Sequence, residues 1–157
     1  MIRRIHTDQG YDHDKKYSKW RREVFPIIAK RTDAYCTDID WIEWRNGRPV
    51  AILECRRAIG SLNTAEEAIE HFKNLTRGFQ IEVLARIAHD MGIPAYIIGI
   101  QDSSPDSSDY SHARFIVEKV IPPAEWGSGR MLLSRIKTER YPEMNEQSYI
   151  SFISALG

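Results

Sequence analysis

A chain of 157 residues is long enough for one domain with a real hydrophobic core and too short for two comfortable ones. Its 42% hydrophobic and 28% charged residues are ordinary for a folded protein, and a formal net charge of zero argues against indiscriminate coating of nucleic acid. No apolar run approaches a membrane span, and Met1-Ile2-Arg3-Arg4 lacks the apolar core of a signal peptide.

The neutral total conceals an asymmetry. Residues 1–60 hold thirteen Lys and Arg against nine Asp and Glu, and the rest hold nine against thirteen. Acids for a metal and bases for phosphate would give such a balance, as would plain solvated charge. Cys36 and Cys55 both fall in predicted strands, which suits reduced, buried thiols in a cytoplasmic protein.

In chain order, residues 14–25 read as an amphipathic helix with Tyr17, Trp20, Val24 and Phe25 on one stripe, ended by Pro26. Lys15, Lys16, Lys19, Arg21 and Arg22 lie mostly on the other side, either as a phosphate-tracking face or as a solvated helix back. Asn46-Gly47 then stands between two runs rich in β-branched and aromatic residues, a strong hairpin signal. Alternation puts Asp38, Asp40, Ile42 and Trp44 on one side of the first strand. Ile52, Glu54 and Arg56 share a face of the second, with Leu53 and Cys55 opposite. If the faces coincide, Asp40 and Glu54 meet side by side with Arg56 next along. Such a group suits a divalent ion and a phosphate. Asp38 competes with Asp40 for the first position, and Asp40 is preferred because it directly precedes Trp41-Ile42.

Thr64 and Glu67 are spaced as a capping box for a helix running toward Leu75. Another helix follows Arg77-Gly78, with Val83, Leu84, Ile87, Ala88 and Met91 as its apolar stripe and Gly92 as its stop. Pro94 to Ile100 is the nearly continuous apolar run of a doubly buried strand. Gln101 to His112 reads as a Ser/Asp-rich loop, and Arg114 to Val120 as another strand. Met131 to Ile136 reads as a short strand or helical turn. A final helix starts near Asn145, its cap, with Tyr149, Phe152, Ile153 and Leu156 apolar. Neither Cys has a neighbouring His, no Gly-x-Ser-x-Gly or phosphate-binding Gly loop occurs, and the five His lack zinc spacing.

Asp40, a short hairpin and Glu54-Cys55-Arg56 resemble the signature of the PD-(D/E)XK nuclease superfamily, an acid followed after a gap by Glu-x-Lys, with Arg56 where that family usually has Lys. The resemblance implies an α/β fold over residues 1–157 as a single domain, with a three-layer restriction-endonuclease-like core of a central mixed β-sheet flanked by helices. It also implies a Mg²⁺-dependent endonuclease, Mn²⁺ substituting, with Asp40, Glu54, the Cys55 carbonyl and Glu23 as metal ligands. Glu23, Asp40, Glu54 and Arg56 would be the catalytic set. Lys15, Lys16, Lys19, Arg22, Arg57 and Gln80 would contact DNA. Within the superfamily, residues 14–100 are most similar to archaeal-type Holliday-junction resolvases, with the tail from residue 113 outside the match. That implies a homodimer acting on branched DNA or four-way junctions, encoded by a phage or prokaryote. The alternatives are a restriction- or repair-type nuclease, a catalytically degenerate DNA-binding module, or a hairpin that is only structural.

Overall fold

The computed structural model describes residues 39–58, 62–102, 110–126 and 136–157, with Lys16, Lys19, Trp20, Glu23 and Val24 before them. The chain divides into two compact units, Met1–Thr37 and Asp38–Gly157. The five described residues of the first unit are helical, within the span where the sequence predicts a helix.

The second unit begins with the hairpin. Asn46 and Gly47 take φ of 49° and 74°, the two positive values that a type I′ turn requires. They join β1 (Trp41–Arg45) to β2 (Arg48–Arg57) in antiparallel register, Ile42 opposite Ile52 and Glu43 opposite Ala51. The next pair is Trp44 with Pro49, so Val50 is an extra residue bulged into β2.

Three further strands complete one sheet in the order β1-β2-β3-β4-β5: β3 (Ala95–Gln101), β4 (Arg114–Ile121) and β5 (Lys137–Arg140). β2 and β3 are parallel and the other neighbours antiparallel, so the sheet is mixed. The parallel step is bridged by two helices, α1 (Ala65–Asn74) and α2 (Phe79–Met91), with a 3₁₀ turn between them. Thr64 caps α1 by accepting from the Glu67 N–H at 3.1 Å, and the Glu67 carboxylate reaches back to the Asn63 N–H at 2.7 Å. Gly92 ends α2 in the left-handed region.

Both faces of the sheet are covered. Ile52, Ile97, Ile116 and Val120 meet Ile69 and Phe72 of α1 and Ile81, Leu84 and Ala88 of α2. Leu53, Tyr96, Ile98, Phe115 and Val117 meet Tyr149, Phe152 and Ile153 of α3 (Glu146–Ser154). Asn145 caps α3 in a reciprocal capping box with Ser148, and its apolar stripe packs on the sheet as predicted. Among the described residues no helix is long and apolar enough to cross a membrane.

The structure departs from the sequence reading in four places. The acid-bearing strand starts at Trp41, so Asp40 stands at its mouth. Met91 is 41% exposed and does not belong to the buried stripe of α2. Gln101 is the last residue of β3, where its side chain accepts from the Ala65 N–H and from Arg114. β5 was not predicted; of the stretch Met131 to Ile136, only Ile136 is described, and it lies just before that strand.

Candidate active site

The hairpin brings three of the predicted residues together. The β1–β2 register ends at Trp41 and Leu53, so Asp40 stands just before the ladder, beside the stretch of β2 that carries Glu54 and Cys55. Asp40 Oδ2 accepts the Cys55 backbone N–H at 2.9 Å, replacing the ladder bond that the strand has ceased to supply. The carboxylate is thereby fixed against β2 while its residue remains exposed.

Glu54 shares the face of Ile52 beneath the α1–α2 layer, and its side chain is 9% exposed. Arg56, two residues on, shares that face. Its Nη2 lies 2.5 Å from Glu54 Oε1 and its guanidinium carbon 4.8 Å from the centre of the Phe72 ring. Arg56 Nε is buried and, among the described residues, has no hydrogen-bond partner.

Cys55 points to the opposite layer. Burial pushes its thiol up to about 12, aided by the negative charges of Asp40, Glu54 and Glu43 and opposed by Arg56. Since its side chain packs in the opposite layer, Cys55 would contribute to a site beside Glu54 through its backbone. The same shift registers the negative field at this end of the hairpin.

Asp40 at the mouth of β1 and Glu54 on β2 carry the hard carboxylate oxygens that Mg²⁺ or Mn²⁺ takes, so the donor chemistry fits such an ion. Among the described residues no group of three or more His, Cys, Asp or Glu side chains is placed to hold a metal. A bound ion would therefore draw two side-chain ligands from this cluster and the rest from backbone and water.

Glu23, Lys16 and Lys19 are exposed helical residues of the first unit. Lys15, Arg22 and Asp38 lie outside the described residues. Arg57 pairs with the buried carboxylate of Asp102 at 2.9 Å, which engages it in the fold. Gln80 is half-buried in the first turn of α2, and His71 is exposed in the last turn of α1.

Two buried acids escaped the sequence reading. Glu118 on β4 is 2% exposed. It accepts from Thr138 at 2.6 Å, from Arg140 at 2.9 and 2.7 Å, and pairs with Lys73 at 2.5 Å. Burial pushes its carboxyl up, but the bonds from Lys73, Thr138 and Arg140 prevail and hold it below the usual carboxylate range. Glu118 opposes Ile97, which opposes Glu54, so the two acids lie in one row across the sheet. The signal was present in the sequence: a lone acid in a strand apolar on both faces requires buried partners. Glu82 of α2, 3% exposed, pairs with Arg86 at 2.9 Å, and Arg86 lies over Trp126.

Away from this cluster, an open polar depression of about 430 Å³ is lined by Ser111, His112, Arg114, Glu143, Asn145 and Ser148, among others. Arg114 is clamped there by Glu143 at 2.8 Å and Glu66 at 2.7 Å. Its hydrogen bonds hold both carboxyls below their usual range. With two acids on one cation, this is not an anion site.

Fold and cluster together define a mixed α/β domain with paired carboxylates at one strand end. No known protein family, curated protein or solved structure matches the chain.

Proposed function

We propose that this protein is a metal-dependent DNA endonuclease of the PD-(D/E)XK type, hydrolysing phosphodiester bonds in branched DNA in the manner of a Holliday-junction resolvase. The observation that carries the reading is the carboxylate of Asp40 held on the Cys55 N–H, the residue after Glu54, with Arg56 paired to Glu54. A sheet covered by helices on both faces suits the restriction-endonuclease-like core.

In this reading Asp40, Glu54 and the Cys55 carbonyl would hold Mg²⁺, or Mn²⁺ in its place. The chemistry supplied there is acidification of the attacking water and neutralisation of the phosphate. Arg56 contributes charge and a two-pronged phosphate contact. A guanidinium does not act as a base here. Lys15, Lys16, Lys19, Arg22 and Gln80 are the candidate DNA contacts. Symmetric incision of a junction needs two sites, so the acting species is a homodimer, placed in the cytoplasm.

The test is cleavage of an end-labelled four-way junction, beside a linear duplex of the same sequence, in Mg²⁺ and then Mn²⁺. Paired cuts in the junction, absent with Glu54→Ala, are expected. A junction left intact by the unmodified protein in both metals would refute the assignment. Equal cutting of the linear duplex would shift it to a restriction- or repair-type enzyme. The close Glu54–Arg56 pair favours a second reading, a degenerate DNA-binding module whose acid is already neutralised. Cutting that appears only with Arg56→Lys would select it.

A further inference from the structure

The Arg56 side chain is held in an unusual setting. Its guanidinium reaches Glu54 at 2.5 Å and lies over the Phe72 ring at 4.8 Å, while Nε is buried and, among the described residues, has no acceptor. A buried donor without a partner is an unfavourable arrangement that folded proteins seldom keep. Here it is retained because the other end of the guanidinium is bound to a carboxylate that is almost wholly withdrawn from water. Glu54 without a nearby cation would be a buried, uncompensated charge. Arg56 supplies that cation at Glu54, one of the two acids that a divalent ion would need.

We infer that Arg56 is an internal counter-ion for the Asp40–Glu54 pair, displaced when a divalent ion binds, and that it thereby sets the metal concentration at which the site fills. The inference rests on the metal-site reading above and deepens it. Two cations cannot share Glu54 without mutual repulsion, so the ion and the guanidinium compete. Displacement costs the ion pair and the Phe72 stack but relieves the orphaned Nε, which gains access to water or to a substrate phosphate. A divalent ion and a guanidinium about 5 Å apart repel by enough to change affinity roughly tenfold even at the dielectric of water. Arg56 is therefore a regulating residue of this site in addition to its proposed phosphate contact.

The experiment uses the full chain without DNA, so that binding is read apart from cleavage. Titration with MnCl₂ by calorimetry is expected to show a weak site in the unmodified protein. In Arg56→Gln that site should tighten by roughly tenfold or more, and in Glu54→Gln it should be lost. Equal affinity in Arg56→Gln and the unmodified protein, still abolished by Glu54→Gln, would overturn the competition and leave the metal site standing. Absence of Mn²⁺ binding in both would overturn the two readings together. A second measurement needs no folded variant: the Arg56 Nε–H resonance of the unmodified protein, followed by ¹⁵N NMR during a Mg²⁺ titration. It should shift with the same midpoint as the heat, and a resonance that stays fixed at saturation would refute displacement.

Discussion

Removing both cations from Glu118 should expose the cost of burying its charge. Glu118 is 2% exposed, whereas the side chains of Lys73 and Arg140 are 21% and 45% exposed and have routes to water. The network is thus asymmetric. Lys73→Met alone leaves Arg140 and Thr138 on the carboxylate, and should cost about 1–2 kcal/mol, because a charge-assisted bond is lost while the acid stays paired. Lys73→Met with Arg140→Met leaves a nearly dry carboxylate with one hydroxyl, and should cost about 3–5 kcal/mol at pH 7. In a chain of this size that is a fall in Tm of roughly 6–20 °C. Glu118→Leu, which frees both cations to reach solvent and fills the site with apolar volume, should cost about 1–3 kcal/mol. The pH dependence has opposite signs in the two forms. In the unmodified protein the folded carboxyl lies below its usual range, so its stabilisation is present above the unfolded pKa and is lost as pH falls through the folded value. In the double variant, burial without cations raises the folded pKa, so acidification relieves the defect. Urea denaturation at pH 7 and pH 4 measures both effects. A Glu118→Leu loss equal to that of the double variant at pH 7, or a double-variant loss that persists at pH 4, would refute the argument.

Two other outcomes follow from close packing and from burial. A Cβ on Gly99 would lie 2.4 Å from the Ala65 carbonyl oxygen and 3.0 Å from Ile69 Cδ1. Backbone cannot step aside cheaply, so Gly99→Ala should cost about 1–3 kcal/mol, read as a lower urea midpoint with an unchanged m-value. The Cys55 thiol, pushed up to about 12, should resist iodoacetamide at pH 8 in folded Cys36→Ala protein and react once the chain is unfolded in urea. Rapid labelling in the folded state would show that the negative field and burial assigned to this strand end are wrong.

What the sequence displayed most clearly was local chemistry. Asn46-Gly47 demanded its turn, Gly92 its helix stop, Thr64 and Asn145 their caps, and the structure has each. Alternation also put Glu54 and Arg56 on one face and Cys55 on the other, as the two clusters bear out. Legibility failed where a side chain replaced backbone or where charge replaced apolar pattern. Asp40 meets β2 through its carboxylate and not through its backbone, so the strand begins at Trp41 and not at Asp38, where the alternation was read. β5 is Lys-Thr-Glu-Arg, a short charged edge that carries no apolar period. The burial of its partner Glu118 depends in part on Arg140 of this strand, which the sequence reading did not predict.

These elements meet at α1. Phe72 supports the guanidinium of Arg56, and the adjacent Lys73 reaches Glu118 two strands away. Consecutive residues on one helical turn thus serve both acids of the cross-sheet row. The helix can do so only because Gly99, having no side chain, lets its first turn close on β3. A small shift of α1 would move the Phe72 ring and the Lys73 ammonium together, so the geometry of the Glu54–Arg56 pair is coupled to the Glu118 network through packing. The coupling has a measurable form. Lys73→Met, far from DNA in this reading, should alter the Mg²⁺ midpoint of the Arg56 resonance, whereas Lys73→Arg, which keeps the Glu118 ion pair, should restore it. If Lys73→Met changes stability but leaves that midpoint where it was, α1 supports the two acids independently and the row is a structural coincidence.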